Sequence, residues 1–217
     1  LEAVRSGFDR TGKRSLAIPG DITSARYRSS LLDASRQKFG AVDILVNNAR
    51  EDHPEAFAGT TLGRIRSMFD INVIALMDLT RLVLPAMVER HEGHIVNLAS
   101  VAGLAPMPHA AISSATEHAV IGFSQSLRRE VAEDGVGVSV VFHDGLVGET
   151  MGQPTASPQQ VADAVVTAIT GKRARVTVRP SGLNLAPIAS SVSPALTAVT
   201  TRLKGTIVTL RGVAGRV

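Results

Sequence analysis

The chain has 217 residues, 44% of them hydrophobic and 19% charged, enough for one α/β domain with a sizeable core or at most two small ones. Cysteine is absent, which excludes disulfides, thiolate metal centres and cysteine nucleophiles and suits a reducing, cytoplasmic setting. The net charge is +4, but eight of the 23 Lys and Arg and none of the 19 Asp and Glu lie from Gly171 onward, which leaves residues 1–170 at about −4.

With one Tyr, six Phe and no Trp, the core must be aliphatic. The basic residues are spread out without interleaved aromatics, so they read as a solvated face and not as a nucleic-acid surface. No apolar run of membrane-spanning length and no signal-peptide pattern is read along the chain.

Apolar runs alternate with helical patterns. "RSLAIPGD" (14–21) predicts a short strand ending in a Pro-Gly-Asp turn. Residues 23–40 predict a helix with Thr23 as N-cap, Gly40 as its stop, and Leu31, Leu32, Ser35 and Phe39 on one face. "VDILVNNA" (42–49) reads as a buried strand that stops at two asparagines, and 60–90 as a long helix. Strand 93–100, helix 110–133, strand 136–145, helix 157–171 and strand 174–180 follow. Ser157 is the expected cap of that last helix, with Pro158 at its first position.

Nearly all-apolar strands alternating with helices argue for a parallel sheet covered on both faces, open and doubly wound. Ligands in such sheets sit beyond the carboxyl ends of the strands. That rule selects Asp21, Asn47–Arg50, Ala99–Ser100 and His143–Val147.

Four ordered motifs carry a resemblance: "DILVNNAR", "FDINVIALMDLTRLVLPAM", "GHIVNLASVAG" and "GVGVSVVFHDG". Together they are similar to the short-chain dehydrogenase/reductase family over nearly the whole chain. The resemblance implies a Rossmann-like fold over 1–180, with 181–217 as a basic C-terminal extension. It implies NAD or NADP as cofactor, a small alcohol or carbonyl substrate, and a homo-oligomer. It also assigns active-site positions to Asn72 and Ser100, and cofactor contacts to Asp21, Ile22, Asn48, Ala49, Gly145 and Val147.

Departures from the pattern are as informative. Between Gly93 and Phe123 the family pattern aligns without a gap, and its Tyr-x-x-x-Lys pair falls on Ser113 and Glu117. Helical spacing keeps these two on one face. The chemistry changes, because a phenol of pKa about 10 is brought toward working pH by a neighbouring ammonium. A serine hydroxyl is shorter and far less acidic, and a glutamate beside it opposes an anion. The expectation is therefore weak or absent dehydrogenase activity. Tyr27, His109 and His118 are not expected to take over proton transfer.

The family's Gly-rich strand–turn–helix is not found before "LEAVRSG". A chain lacking the first βαβ is expected either to dock "SLAIPG" beside "DILVNNA" or to expose a sheet edge. Arg50 stands where the pattern has a glycine, and Asp144 where it has a proline. A non-catalytic role as assembly partner of an intact homologue is the alternative to an oxidoreductase.

Three other constellations have simpler readings. Ser100, His109 and Asp144 do not form a G-x-S-x-G elbow, and "EDHPE" (51–55) reads as an exposed polar loop before it reads as a metal site. "HEGH" (91–94) reads as punctuation between helix and strand. In the tail, Arg202, Lys204 and Arg211 would permit peripheral membrane contact. Packing of the extension on the domain, or partial disorder, is the expectation preferred.

Overall fold

Runs rich in valine and isoleucine form four parallel strands, because β-branched side chains fit a pleated surface covered by helices. They are β1 (Ile44–Asn47), β2 (Gly93–Ser100), β3 (Val136–His143) and β4 (Arg175–Thr177), in the order β1-β2-β3-β4. The structure is a computed structural model and describes residues 14–100, 108–143 and 156–178. Two units, Leu1–Leu183 and Asn184–Val217, divide the chain; every described residue belongs to the first. The basic extension 181–217, Asp144, Gly145 and Val147 lie outside the described residues.

Helices α1 (Ala25–Phe39), α2 (Leu62–Phe69), α3 (Ala75–Glu89), α4 (Ala111–Glu130) and α5 (Pro158–Thr170) connect and cover the strands. On one face Leu32 of α1, Leu79, Val83 and Met87 of α3, and Leu127 of α4 pack with Ile95 and Val138. On the other, Ala164 and Ala168 of α5 close over Val96 and Val141. β2 is the spine, with Ile95, Val96, Asn97 and Ala99 wholly buried. It runs in step with β3 from Gly93 opposite Val136 to Ser100 opposite His143.

Several expectations need correction. "RSLAIPGD" forms no strand. Two side chains of α1 hold it instead: the Tyr27 hydroxyl donates to the Ile18 carbonyl at 2.7 Å, and Lys38 Nζ to the Ser15 carbonyl at 2.9 Å. A strand needs a ladder partner, and this segment is placed against the helix and not against β1. Among the described residues β1 therefore forms an edge, shorter than the 42–49 expected. Its Ile44 and Val46 are 47% and 42% exposed, on the face that α5 covers at β2, β3 and β4. The cover expected on both faces holds for the central strands and fails at β1.

The N-cap of α1 is Ser24 and not Thr23. Thr23 turns instead to Asp21, whose Oδ1 accepts from its backbone N–H at 2.9 Å and its hydroxyl at 2.8 Å. Phe39 leaves the predicted apolar face and is 47% exposed. Arg28, buried in α1, donates to Asp78 at 2.7 Å and to the carbonyls of Ile22 and Thr23. That clamp seats α1 on α3 and orders the turn before it.

Residues 62–89 form one helical stretch, interrupted by a π turn at Asp70–Ile74. By length and composition this stretch is apolar enough to cross a membrane, which corrects the expectation that none is. Its apolar side chains serve the core, where Met68, Val83 and Met87 are buried. α5 begins as expected: Ser157 Oγ accepts from Gln160 N–H while Gln160 Oε1 accepts from Ser157 N–H at 2.8 Å.

Candidate active site

Three strand ends bring Asn47, Ser100 and His143 to one side of the sheet. β1 stops three residues short of the point where β2 ends, because Asn47 pairs with Asn97. The chain then leaves the ladder and carries Arg50, Glu51 and Asp52 across the ends of β2 and β3. α4 lies over the same region, and its spacing turns Ser113 and Glu117 inward, 2% and 5% exposed.

Arg50 joins these pieces. Its guanidinium lies 3.2 Å from Glu117 Oε1, 3.0 Å from Asp52 Oδ2 and 3.1 Å from His143 Nε2. A guanidinium can only donate, so the Nε2 of His143 must accept and its proton sits on Nδ1. The second Glu117 oxygen accepts the Ser100 backbone N–H at 2.6 Å. Ser113 Oγ donates to the second Asp52 oxygen at 2.5 Å. Both helical positions thus belong to one charged network, with two carboxylates, one guanidinium and a neutral imidazole.

Burial pushes the Glu117 carboxyl above the ordinary carboxylate range. Arg50 and the Ser100 N–H oppose that rise, while Asp52 adds to it. Arg50 and the N–H therefore hold the charged form against desolvation.

Asn72 sits in the π turn, a local widening that often re-aims a functional side chain. Its Oδ1 accepts the Glu51 N–H at 2.7 Å, and its Nδ2 donates to the Glu51 carbonyl at 2.8 Å and to Thr116 Oγ1 at 3.2 Å. Thr116 in turn donates to the Ser113 carbonyl. Asn72 therefore clamps the loop after β1 to α4. The Glu51 side chain accepts from Ser67, Arg64 and His53. The Ser67 hydroxyl is the largest cause of its carboxyl standing below the ordinary range, with His53 and Arg64 contributing against burial. Beneath lies a buried amide chain, in which Asn47 donates to Asn97 and Asn97 to Ser124, each at 2.8 Å.

The four expected catalytic positions meet: Asn72, Ser100, Ser113 and Glu117 are linked through Thr116, Asp52 and Arg50. Ile22, Asn48 and Ala49 line one apolar groove of about 200 Å³ with Leu45 and Leu76. Asp21 stands exposed at the adjoining turn, its carboxyl held below the usual range by the Thr23 N–H and hydroxyl. Gly145 and Val147 are outside the described residues. His109 gives its carbonyl to Glu55 N–H, and His118 Nδ1 faces the Ser114 carbonyl. Among the described residues no group of three His, Asp or Glu side chains is placed to hold a metal.

Sequence reasoning missed Asp52 and the role of Arg50. The "EDHPE" loop is not simply an exposed polar loop, since Glu51 and Asp52 are half-buried within the network. Two signals pointed there: the strand-end rule, and an arginine and an acid arriving together at two departures from one pattern.

Comparison with known proteins identifies relatives of the chain. The family model for short chain dehydrogenase matches residues 1–159. Ketoacyl reductase HetN of Nostoc sp. is 35% identical over 199 residues, spanning 87% of this chain and 67% of that protein. An uncharacterized oxidoreductase of Staphylococcus aureus is 30% identical over 174 residues, 75% of each chain. A short-chain dehydrogenase structure from Streptomyces avermitilis superposes with TM-score 0.75 at 26% identity, over 93% of this chain and 81% of that one. A metagenomic short-chain oxidoreductase in complex with NADP gives TM-score 0.72 at 25% identity, over 84% and 81%.

Proposed function

The chain belongs to the short-chain dehydrogenase family, and on that premise we propose that it is a member with weak or no hydride transfer. The observation that carries this reading is the Arg50 guanidinium held among Glu117, Asp52 and His143. In the family pattern the position of Glu117 is a lysine that favours a tyrosinate and donates to the nicotinamide ribose. Here an acid stands there, and both of its oxygens are already engaged. A serine stands in the tyrosine's place, with its only proton directed at Asp52.

These residues do not fit the reactive end of NAD or NADP. Glu117 offers the ribose a carboxylate whose acceptors are in use, and Ser113 has neither the reach nor the acidity of a phenol. No step of hydride transfer is therefore assigned to them. Arg50 and Glu117, both departures from the family pattern, pair with each other, so the buried acid has a partner. The groove lined by Ile22, Asn48 and Ala49 is retained for a small apolar or partly apolar ligand.

Among the described residues no strand pairs with the outer edge of β1, where Ile44 and Val46 are exposed, and this favours a second reading. The chain would then serve as a non-catalytic assembly partner of an intact homologue, joined through that edge.

The test is calorimetric titration with NAD and NADP, together with a hydride-transfer assay over a panel of alcohols and carbonyl compounds. No turnover above background is expected. Turnover abolished by Glu117→Ala would overturn the proposal by showing the replacement pair to be functional. Turnover that survives both Ser100→Ala and Glu117→Ala would place the chemistry elsewhere. Native mass spectrometry after co-expression with an intact family member examines the second reading, which predicts a mixed oligomer.

A further inference from the structure

Of the basic residues from Gly171 onward, Arg175 lines a cavity on the far side of α4. This cavity, of about 470 Å³, opens between the last two turns of α4, β3 and the start of β4. That volume lies within the range of small-molecule sites. Val138 and Val140 form its floor, and Arg128, Arg129 and Arg175 stand around it. It shares no residue with the charged network around Arg50 and meets the buried amide chain beneath it at Ser124.

The three arginines are held in different ways. Arg128 donates to the carbonyls of Val138 at 2.7 Å and Lys172 at 3.3 Å, which fixes its guanidinium against the cavity wall. Arg175 lies opposite Val140 in the sheet and stacks over the Phe142 ring at 4.9 Å. Its charge thus faces the same side of the sheet as the valines. Among the described residues no carboxylate pairs with any of the three. Arginine in the last turn of a helix is favoured by the helix dipole, and that explains Arg128 and Arg129. It does not explain why a strand residue from a separate element adds a third guanidinium to the same cavity.

We propose that this cavity binds a small organic anion with an aliphatic body, its carboxylate or phosphate head held by Arg129 and Arg175 and its chain laid on Val138 and Val140. Uncompensated guanidinium groups at the mouth select an anion, and bidentate pairing to a planar or tetrahedral head is their strongest interaction. The valine floor gives no partner to a fully hydrated ion and gains from a hydrocarbon chain. The site is independent of the dehydrogenase reading.

The experiment is isothermal titration of the full chain with decanoate, decanol and inorganic phosphate, repeated on the double variant Arg129→Ala, Arg175→Ala. Arg128 is left in place because its carbonyl bonds support the fold. Saturable binding of decanoate is expected, weakened at least about tenfold in the double variant. Decanol and inorganic phosphate should each bind more weakly than decanoate, since each lacks one half of the recognition. Equal binding of decanoate by the double variant, no saturable binding by the unaltered chain, or phosphate binding as tightly as decanoate would overturn the proposal. Amide shift mapping on the unaltered chain keeps the test valid if the variant misfolds. Perturbations at Ala132, Val138, Val140 and Ala174 support the site, and perturbations confined to Leu45 and Leu76 beside β1 overturn it.

Discussion

Removing the Arg50 guanidinium would leave two carboxylates facing each other with little to hold either charge. Glu117 would keep the Ser100 N–H and lose its ion pair with a guanidinium. Breaking one side of a buried pair typically costs about 3–5 kcal/mol. Arg50 keeps 23% of its side-chain surface, so Arg50→Ala is expected to cost about 2–3 kcal/mol at neutral pH by urea denaturation. Arg50→Ala combined with Glu117→Gln should recover much of that loss, because the neutral amide needs no counter-charge. The pH dependence has a defined sign. Burial raises the folded Glu117 carboxyl above its ordinary value of 4.5, so the folded state holds a proton that the unfolded state has released. Stability from this group is therefore present below that value and declines as pH rises through the window above it. Glu117→Gln should flatten that decline, and the deficit of Arg50→Ala should shrink on acidification.

At the scale of elements, the edge of the sheet and the start of the last helix make separate predictions. Among the described residues β1 is the end strand of the sheet and presents exposed Ile44 and Val46, the arrangement that invites strand addition. Ile44→Lys with Val46→Lys should lower concentration-dependent association in sedimentation velocity while leaving the melting temperature nearly unchanged. Both side chains are already more than two-fifths exposed. α5 begins with a reciprocal cap between Ser157 and Gln160, and Ser157→Ala should cost about 1 kcal/mol by denaturant unfolding. The π turn is a different kind of element. It sets Asn72 where its amide meets both Glu51 and Thr116, and no periodicity argument over 60–90 distinguishes it from a continuous α-helix.

For the whole molecule, one buried histidine sets a limit on acid stability. His94 is 6% exposed, its Nε2 lies 2.7 Å from Ser139 Oγ, and that hydroxyl donates to the Arg173 carbonyl. The imidazole therefore donates from Nε2. Gly137 makes room for the ring, since a Cβ there would stand 2.5 Å from Nδ1. Burial lowers the folded His94 value below its ordinary 6.5, with Arg128 and Lys172 adding to the effect. The unfolded chain thus takes up a proton first. This contribution is intact above 6.5 and declines as pH falls through the range below it. Urea midpoints across that range should fall for the unaltered chain and fall less for His94→Gln. "HEGH" as sequence gave no sign of this role, because burial of His94 is decided by β3 lying alongside β2. The sequence by itself determined the parallel α/β class, strand β2 to its ends, the Ser157 cap and the placement of Ser113 and Glu117 on one helical face. Each depends on local periodicity or on a run of neighbouring residues. Only the tertiary structure decided that 14–21 forms no strand, that Asp52 and Arg50 join the two helical positions, and that Arg175 meets Arg128 and Arg129 in one cavity. Those outcomes depend on which distant segments become neighbours, and spacing along the chain does not encode that.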